Sequence, residues 1–415
     1  NLVYKSIPNR SKDEGLLCVK GRFGINFIND ENRVKTSVVR RKGESIEVDL
    51  EEALTLISKN LQIVKGQYGD NSVAILASPR FTNEDAFIVK KIADKLNTSF
   101  IGSMTSSEAS GMESVLGYNA STNSYDELYS TDLIVSIGHV DENHPIMAVK
   151  MKYAAREKAK LVSISSSKTR MEDYANISFN PYNNIEFLKS FIKALFDGGY
   201  VNEGEVSNKA ENLDGLKNYV KDAKDCTDAA NLAKMYGEAK KAIIVIDDDI
   251  VTEDTYKLLA DAAVITGKIG KPHSGIIIVR SSSNAQGFID IGIKAKGMEI
   301  LEQIKEGKIK AAVIIGEDPV GDDKDTAEIL KNLEFLATLD TFMTDTALIS
   351  NVVVPIGSFA ESEGTLTRSD RKVQKITPAI SAANVNTLFN NLSKIAQHLD
   401  INIVTLSQAV EMLSS

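Results

Sequence analysis

The sequence predicts an α/β protein built on two doubly wound, mostly parallel sheets, one domain inserted in the other, with a small β-rich segment at the N-terminus. Three observations carry that expectation. Short apolar runs rich in β-branched residues recur along the chain: "SVAILAS" (72–78), "DLIVSIG" (132–138), "KLVSIS" (160–165), "AIIVID" (242–247), "AAVIIG" (311–316), "EFLATLD" (334–340) and "NVVVP" (351–355). Runs of this kind bury both faces and suit the interior of a parallel sheet. Helical segments lie between them, the alternation that βαβ units produce. The length, 415 residues, exceeds what one core fills and gives room for two or three domains.

Taken in order, residues 1–48 are polar and turn-rich and end in the strand-like "SVVRRKGESIEVDL" (37–50). Next, "DLEEALTLISKNLQIVKGQYG" (49–69) repeats leucine and isoleucine at three- and four-residue spacing behind Asp49, a helix with an N-terminal capping signal. Strand and helix patterns then alternate through the first α/β domain, expected over 49–105 with 242–355. A second α/β domain is expected as an insertion over 106–241, because no Pro/Gly linker separates the sheets and the alternation resumes after an acidic helical stretch at about 184–240. Residues 1–48 with 356–380 form a further small domain, and 381–415 a C-terminal helical segment. "TGKIGKPHSGIIIVRSSSNAQG" (266–287) has no clear periodicity and reads as a long loop that its apolar "GIIIV" keeps ordered.

Composition narrows the function. A net charge of −9 argues against nucleic acid or an anionic membrane as partner, since either calls for a basic face. No apolar run approaches the roughly 18 residues of a spanning helix, and no signal-peptide pattern opens the chain. Two distant cysteines, Cys18 and Cys226, fit a reducing compartment, so a cytoplasmic location is expected. The chain starts without an initiator methionine and is read as a piece of a longer polypeptide.

Candidate site residues sit where strands end, the edge at which doubly wound sheets bind ligands. "IGHVDENHP" (137–145) places Gly138, then Glu142 and Asn143, after a strand; these residues suit either a nucleotide or ribose contact or plain helix capping. "IIGEDPVGDD" (314–323) offers Gly316, Glu317 and Asp318, whose carboxylates suit hydroxyl or guanine-amine donors better than phosphate. The four histidines show no metal-ligand spacing, no GxSxG is present, and Cys226 reads as an inert thiol.

"LCVKGRFG", "GHVDENHP", "LLADAAVITGKIGKPHSGIIIVRSSSNAQGFIDIG", "AAVIIGEDP", "TLDTFMTDTALISNVVVP" and "FAESEGTLTRSDRKVQ" stand in the order of their counterparts in molybdopterin-dependent oxidoreductases. From about Leu16 to the C-terminus the chain resembles the α subunit of formate dehydrogenase and the large iron–sulfur subunit of NADH:quinone oxidoreductase. The resemblance implies that Cys18 is the last ligand of a 4Fe–4S cluster whose other ligands lie upstream, so that 1–48 with 356–380 is the remnant of a cluster domain. The cluster is then expected in the full-length protein and not in this piece. Lys20 would stand between cluster and pterin as an electron relay. Gly138, Glu142, Asn143, Gly316, Glu317, Asp318 and Asp340 would hold the guanosine ends of a bis-molybdopterin guanine dinucleotide. Asn284, Gln286 and Gly287 match a loop near the pterins, and Glu363, Gly364 and Thr367 the return to the cluster domain.

Departures from the pattern are as informative. In "IGSMTSSEASGMESVLGYNASTNSYDEL" (101–128), Met104 and Thr105 fall where formate dehydrogenases carry a metal-ligating cysteine or selenocysteine followed by histidine. A thioether substitutes poorly for a thiolate on a high-valent metal. The family's "DPRRT" and "RPGTD" appear as "SSSKT" (165–169) and "NPYNN" (180–184), losing an acid and an arginine that help hold the dinucleotide. The resemblance with these losses implies an iron–sulfur electron-transfer or scaffold subunit of an NAD(P)- or ferredoxin-linked complex, without molybdenum chemistry of its own and with other redox subunits as partners. The alternative is an active molybdenum or tungsten bis-pterin formate dehydrogenase α subunit oxidising formate to carbon dioxide.

Overall fold

Asp49 begins the first long helix as its capping signal predicts. Its carboxylate accepts the Glu52 N–H at 2.9 Å, and the helix Leu50–Tyr68 turns Leu54, Ile57, Leu61 and Val64 inward on one stripe. The structure, a computed structural model, describes residues 2–9, 15–105, 110–206, 211–248, 251–381, 385–402 and 405–414. It divides into two units: Asn1–Ser106, Ser282–Arg368 and Val373–Ser415 form the first, and Ser107–Ser281 with Ser369–Lys372 the second.

The first unit opens with the hairpin β1 (Ser37–Arg41) and β2 (Glu44–Val48). Past the helix Leu50–Tyr68 come β3 (Val73–Ala77), the helix Asn83–Leu96 and β4 (Ile101–Ser103). The second unit then contributes β5 (Leu133–Ile137), β6 (Lys160–Ile164), β7 (Ile177–Phe179), β8 (Ala242–Asp247) and β9 (Gly275–Val279). The chain returns to the first unit with β10 (Ala295–Lys296), β11 (Ala311–Ile315), β12 (Phe335–Asp340) and β13 (Val352–Pro355), and ends its strands in the hairpin β14 (Gly364–Thr367) and β15 (Val373–Ile376).

The first sheet runs β10-β4-β3-β11-β12-β13-β1-β2. Its centre is parallel, with Val313 opposite Ile75 on one side and Ala337 on the other, while β1 joins β13 and β2 antiparallel. The expected apolar runs are the central strands: β3, β11 and most of β12 are buried residue by residue, as strands covered on both faces must be. One cover is the helix Leu388–His398, whose Leu388, Leu392 and Ile395 join Leu54, Ile57 and Leu61 in a single core. The second sheet runs β7-β6-β5-β8-β9, wholly parallel, with Val135 opposite Val162 and Ile244.

Three boundaries differ from expectation. The insertion extends past residue 241 to Ser281, because β8 pairs along β5 and β9 along β8. Residues 242–281, expected in the first domain, therefore complete the inserted sheet. "GIIIV" is the edge strand β9 and not part of a loop. Finally, 1–48 with 356–380, and 381–415, fall within the first unit apart from Ser369–Lys372: β1 and β2 extend its sheet, Ile25 and Ile28 pack with Ala360 in a small cluster of their own, and Leu388–His398 packs on the main core. Among the described residues, no helix is long and apolar enough to cross a membrane.

Candidate functional site

In each unit the chain reverses its direction of winding beside the first core strand. β3 lies between β4 and β11, and β5 between β6 and β8. Connections leaving such neighbours go to opposite faces, so a crevice opens beyond their carboxyl ends.

In the first unit this crevice is a cavity of about 880 Å³ lined by Ser78, Arg80 and Phe81 after β3, Gly316 after β11 and Asp340 at the end of β12. Gly316 sits at φ +63°, and a Cβ there would lie 2.5 Å from the Phe81 ring, so the turn needs glycine on two counts. The next two residues face the protein. Glu317 accepts the Ser103 O–H at 2.6 Å and the Met104 N–H at 3.0 Å, and burial raises its carboxyl above the ordinary value despite those bonds. Asp318 accepts the Gly321 N–H at 3.1 Å and, from Thr346, the N–H at 2.9 Å and the O–H at 2.7 Å. Of the "GEDP" turn, then, glycine faces the cavity while both carboxylates fold the loop.

Asp340 accepts the N–H groups of Thr341 at 2.6 Å and Phe342 at 3.2 Å, yet burial pushes its carboxyl up to about 6. The nearby Asp318 charge adds to the rise and Arg80 opposes it. Arg80 makes no hydrogen bond or ion pair among the described residues, and with Lys5 it gives the cavity two cations, a set that suits a phosphate-bearing ligand. The raised Asp340 has a stability consequence. Its folded value lies above the ordinary 3.8, so folding takes up a proton and this group's contribution falls as pH rises from about 4 to about 6. Asp340→Asn keeps an acceptor oxygen for both amides and is expected to stabilise the chain by about 1–2 kcal/mol at pH 7.5, the gain vanishing near pH 4 in urea titrations.

Asn284, Gln286 and Gly287 brace this crevice from outside its lining. The Asn284 amide donates to the Phe81 carbonyl at 2.8 Å and accepts the Thr367 N–H at 2.7 Å, tying the β3 turn to β14. Gln286, fully buried, donates to Asp290 at 2.8 Å, and a Cβ on Gly287 would meet Asn83 Oδ1 at 2.0 Å. Glu363 is exposed, and beside Gly364 the Thr365 N–H and O–H each donate to Glu84 at 2.8 Å.

The second unit's crevice is a cavity of about 210 Å³ lined by Gly138, Ser165, Ser166, Tyr182, Thr252 and Thr255. Beside it the "GHVDENHP" loop converges on a residue the sequence reading passed over, Asp247 at the end of β8, which is fully buried. The His139 N–H donates to Asp247 Oδ2 at 3.1 Å, the Asn143 amide at 2.9 Å, and His144 Nε2 lies 3.1 Å from Oδ1. Glu142 is exposed, 3.5 Å from His139 Nδ1. Gly138, at φ +91°, is thus the expected residue that lines the cavity, while Asn143 serves the loop.

Cys18 is half-buried and caps the short helix Val19–Phe23, its Sγ accepting the Gly21 N–H at 3.3 Å. Lys20 is exposed, and neither residue lines the 880 Å³ cavity. Among the described residues no group of three or more His, Cys, Asp or Glu is placed to hold a metal. Arg80 and Asp247 are the residues that sequence reasoning missed; their one signal was position, directly after "AILASP" and at the end of "AIIVID".

Two α/β units, each with a parallel-centred sheet and a crevice at its winding reversal, define a protein of the doubly wound α/β class. The sequence model of the family described as Molybdopterin oxidoreductase matches residues 33–385, and the chain belongs to that family. It is 29% identical over 430 residues to the F420-dependent formate dehydrogenase subunit alpha of Methanocaldococcus jannaschii, covering 90% of this chain and 63% of that one. To formate dehydrogenase H of Escherichia coli it is 27% identical, over 96% of this chain and 65% of the relative. Among solved structures, acetylene hydratase from Pelobacter acetylenicus superposes with a TM-score of 0.78 at 13% identity, over 93% of this chain and 64% of that one, a likeness of fold. The chain thus spans 63–65% of the length of these relatives.

The donor set fits the family's cofactor unevenly. The first crevice has the volume and the cations for a phosphate-bearing dinucleotide end. At Met104, which the resemblance sets at the metal position, the side chain does not fit a high-valent metal. Met104 has its N–H tied to Glu317, and its Sδ lies 2.4 Å from where a Cβ on Gly297 would be, so the sulfur packs on backbone. The residues after it, 106–109, lie outside the described residues.

Proposed function

We propose that the chain is part of an iron–sulfur electron-transfer or scaffold subunit of an NAD(P)- or ferredoxin-linked oxidoreductase complex, without molybdenum chemistry of its own. The observation that carries this reading is Met104, half-buried and packed at Gly297, a weak donor for a high-valent metal where, by the resemblance, formate dehydrogenases place a thiolate or selenolate. In this reading Cys18 is a cluster ligand in the full-length protein, with Lys20 beside it, and substrate chemistry belongs to partner subunits. The printed name of the Methanocaldococcus relative, a subunit alpha, supports assembly with other subunits. The first crevice would keep a pterin dinucleotide end as a structural element, its phosphates toward Arg80 and Lys5 and its base toward Asp340.

A second reading, an active molybdenum or tungsten formate dehydrogenase α subunit, draws support from the 29% identity to one such subunit. Metal analysis of the protein purified at its full encoded length separates the two. Iron without molybdenum or tungsten is the expected result, with Cys18→Ser lowering iron content. Molybdenum or tungsten at about one per chain, together with extractable pterin, overturns the reading. Iron content unchanged by Cys18→Ser removes the cluster role of that residue.

A further inference from the structure

The second unit holds another cavity, of about 870 Å³, that shares no lining residue with the crevice at Gly138. Its walls include Leu213 and Leu216 of the helix Leu213–Val220, with Tyr118 and Tyr219 alongside. Among the described residues no lysine, arginine or histidine lines it, and the two charged lining residues, Asp261 and Glu211, are both acids. Glu211 is exposed, whereas Asp261, on the helix Glu253–Ile265, is largely withdrawn from water. Asp261 has no hydrogen-bond or ion-pair partner among the described residues, and burial alone pushes its carboxyl up to about 6.

An unpaired carboxylate in a partly apolar cavity costs stability and does nothing for packing. It gains a partner only if something cationic enters. Leu213 and Leu216 in the walls favour a cation that carries an apolar body. We propose that this cavity binds a small organic cation, an alkyl- or arylammonium ion, whose charged head pairs with Asp261 while its apolar part lies against Leu213 and Leu216.

Isothermal titration calorimetry with n-hexylammonium, and with 1-hexanol as the neutral control, tests it on the full chain. Measurable binding of hexylammonium at pH 7.5 is expected, weakening about tenfold at pH 5, where the carboxyl must first lose its proton. Asp261→Asn should weaken hexylammonium binding about tenfold or more while leaving hexanol unchanged. That variant removes an unpaired charge, so its melting temperature at pH 7.5 should match or exceed the parent's. Glu211→Gln should change affinity less than twofold. Hexylammonium binding equally to parent and Asp261→Asn, or failing to bind the parent at millimolar concentration, overturns the proposal.

Discussion

Replacing Arg280 with methionine is expected to lower the unfolding free energy of the second unit by about 3–5 kcal/mol. Arg280 follows β9 directly, and its side chain is 0% exposed. Its Nη1–H donates to Asp248 Oδ2 at 2.9 Å, and Nη2–H reaches the Asn119 carbonyl at 3.2 Å and the Asn119 side-chain oxygen at 2.8 Å. On the far side Asp248 accepts the Tyr256 O–H at 2.6 Å, and burial holds that phenol well above its ordinary value. Methionine fills comparable space but leaves the Asp248 carboxylate buried without its cation. Because the penalty lies in the orphaned charge, Asp248→Leu combined with Arg280→Met should recover most of the loss. Arg280→Lys should fall between, since an ammonium cannot address Asp248 and Asn119 together. Urea unfolding followed by circular dichroism reads all three, and a loss under about 1 kcal/mol for Arg280→Met would show that the pair is not buried as described.

The same network shows why part of the architecture was hidden in the sequence. β3, β5, β8 and β11 were legible because a strand buried on both faces must be apolar throughout, whatever its neighbours. β9 was not. "GIIIV" is short, it stands between "GKIGKPHS" and "RSSSNAQG", and its identity as a strand depends on pairing with β8, a contact no local pattern encodes. The end of the inserted unit was misplaced for a related reason. The polar helices at about 184–240 look like a terminus, yet the chain after them returns to the same sheet beside β5.

The candidate site divides along the same line. Asp340 could be singled out because the family resemblance points to the end of β12, and Gly138 and Gly316 because strand-end loops are few and the topology sends ligands there. Glu317 and Asp318 were singled out on the same ground, but their carboxylates turn inward to Ser103 and Thr346, a choice made by loop geometry. Arg80 and Asp247 were invisible for the opposite reason: an arginine after a strand and an aspartate at its end are ordinary residues until burial and partners give them a task.

Asp247→Ala is the second large effect expected, about 2–4 kcal/mol of destabilisation from the loss of one buried carboxylate that several part-buried groups share. The His139 N–H, the Asn143 amide and the His144 ring all approach that group, on a residue that is 0% exposed. Asp247→Asn should cost less, because one amide oxygen can still accept while the amide nitrogen must face a donor or the His144 ring. Glu142→Gln, on the exposed side of the same loop, should change stability by less than about 0.5 kcal/mol. Hydrogen exchange adds a reading that stability alone does not. Protection of the His139 N–H should be lost in Asp247→Ala, and if that amide stays protected, the loop is held by something other than Asp247. The consequence for the site follows from which groups remain available. With Asn143 and the His139 amide held from beneath by Asp247, any ligand entering the second crevice meets the Gly138 backbone, Ser165, Ser166 and Thr252. These are backbone and hydroxyl groups, which can hydrogen-bond a ribose, a base or a phosphate oxygen but bring no cation among the described lining residues. The first crevice, with Arg80 and Lys5, is the better anion site.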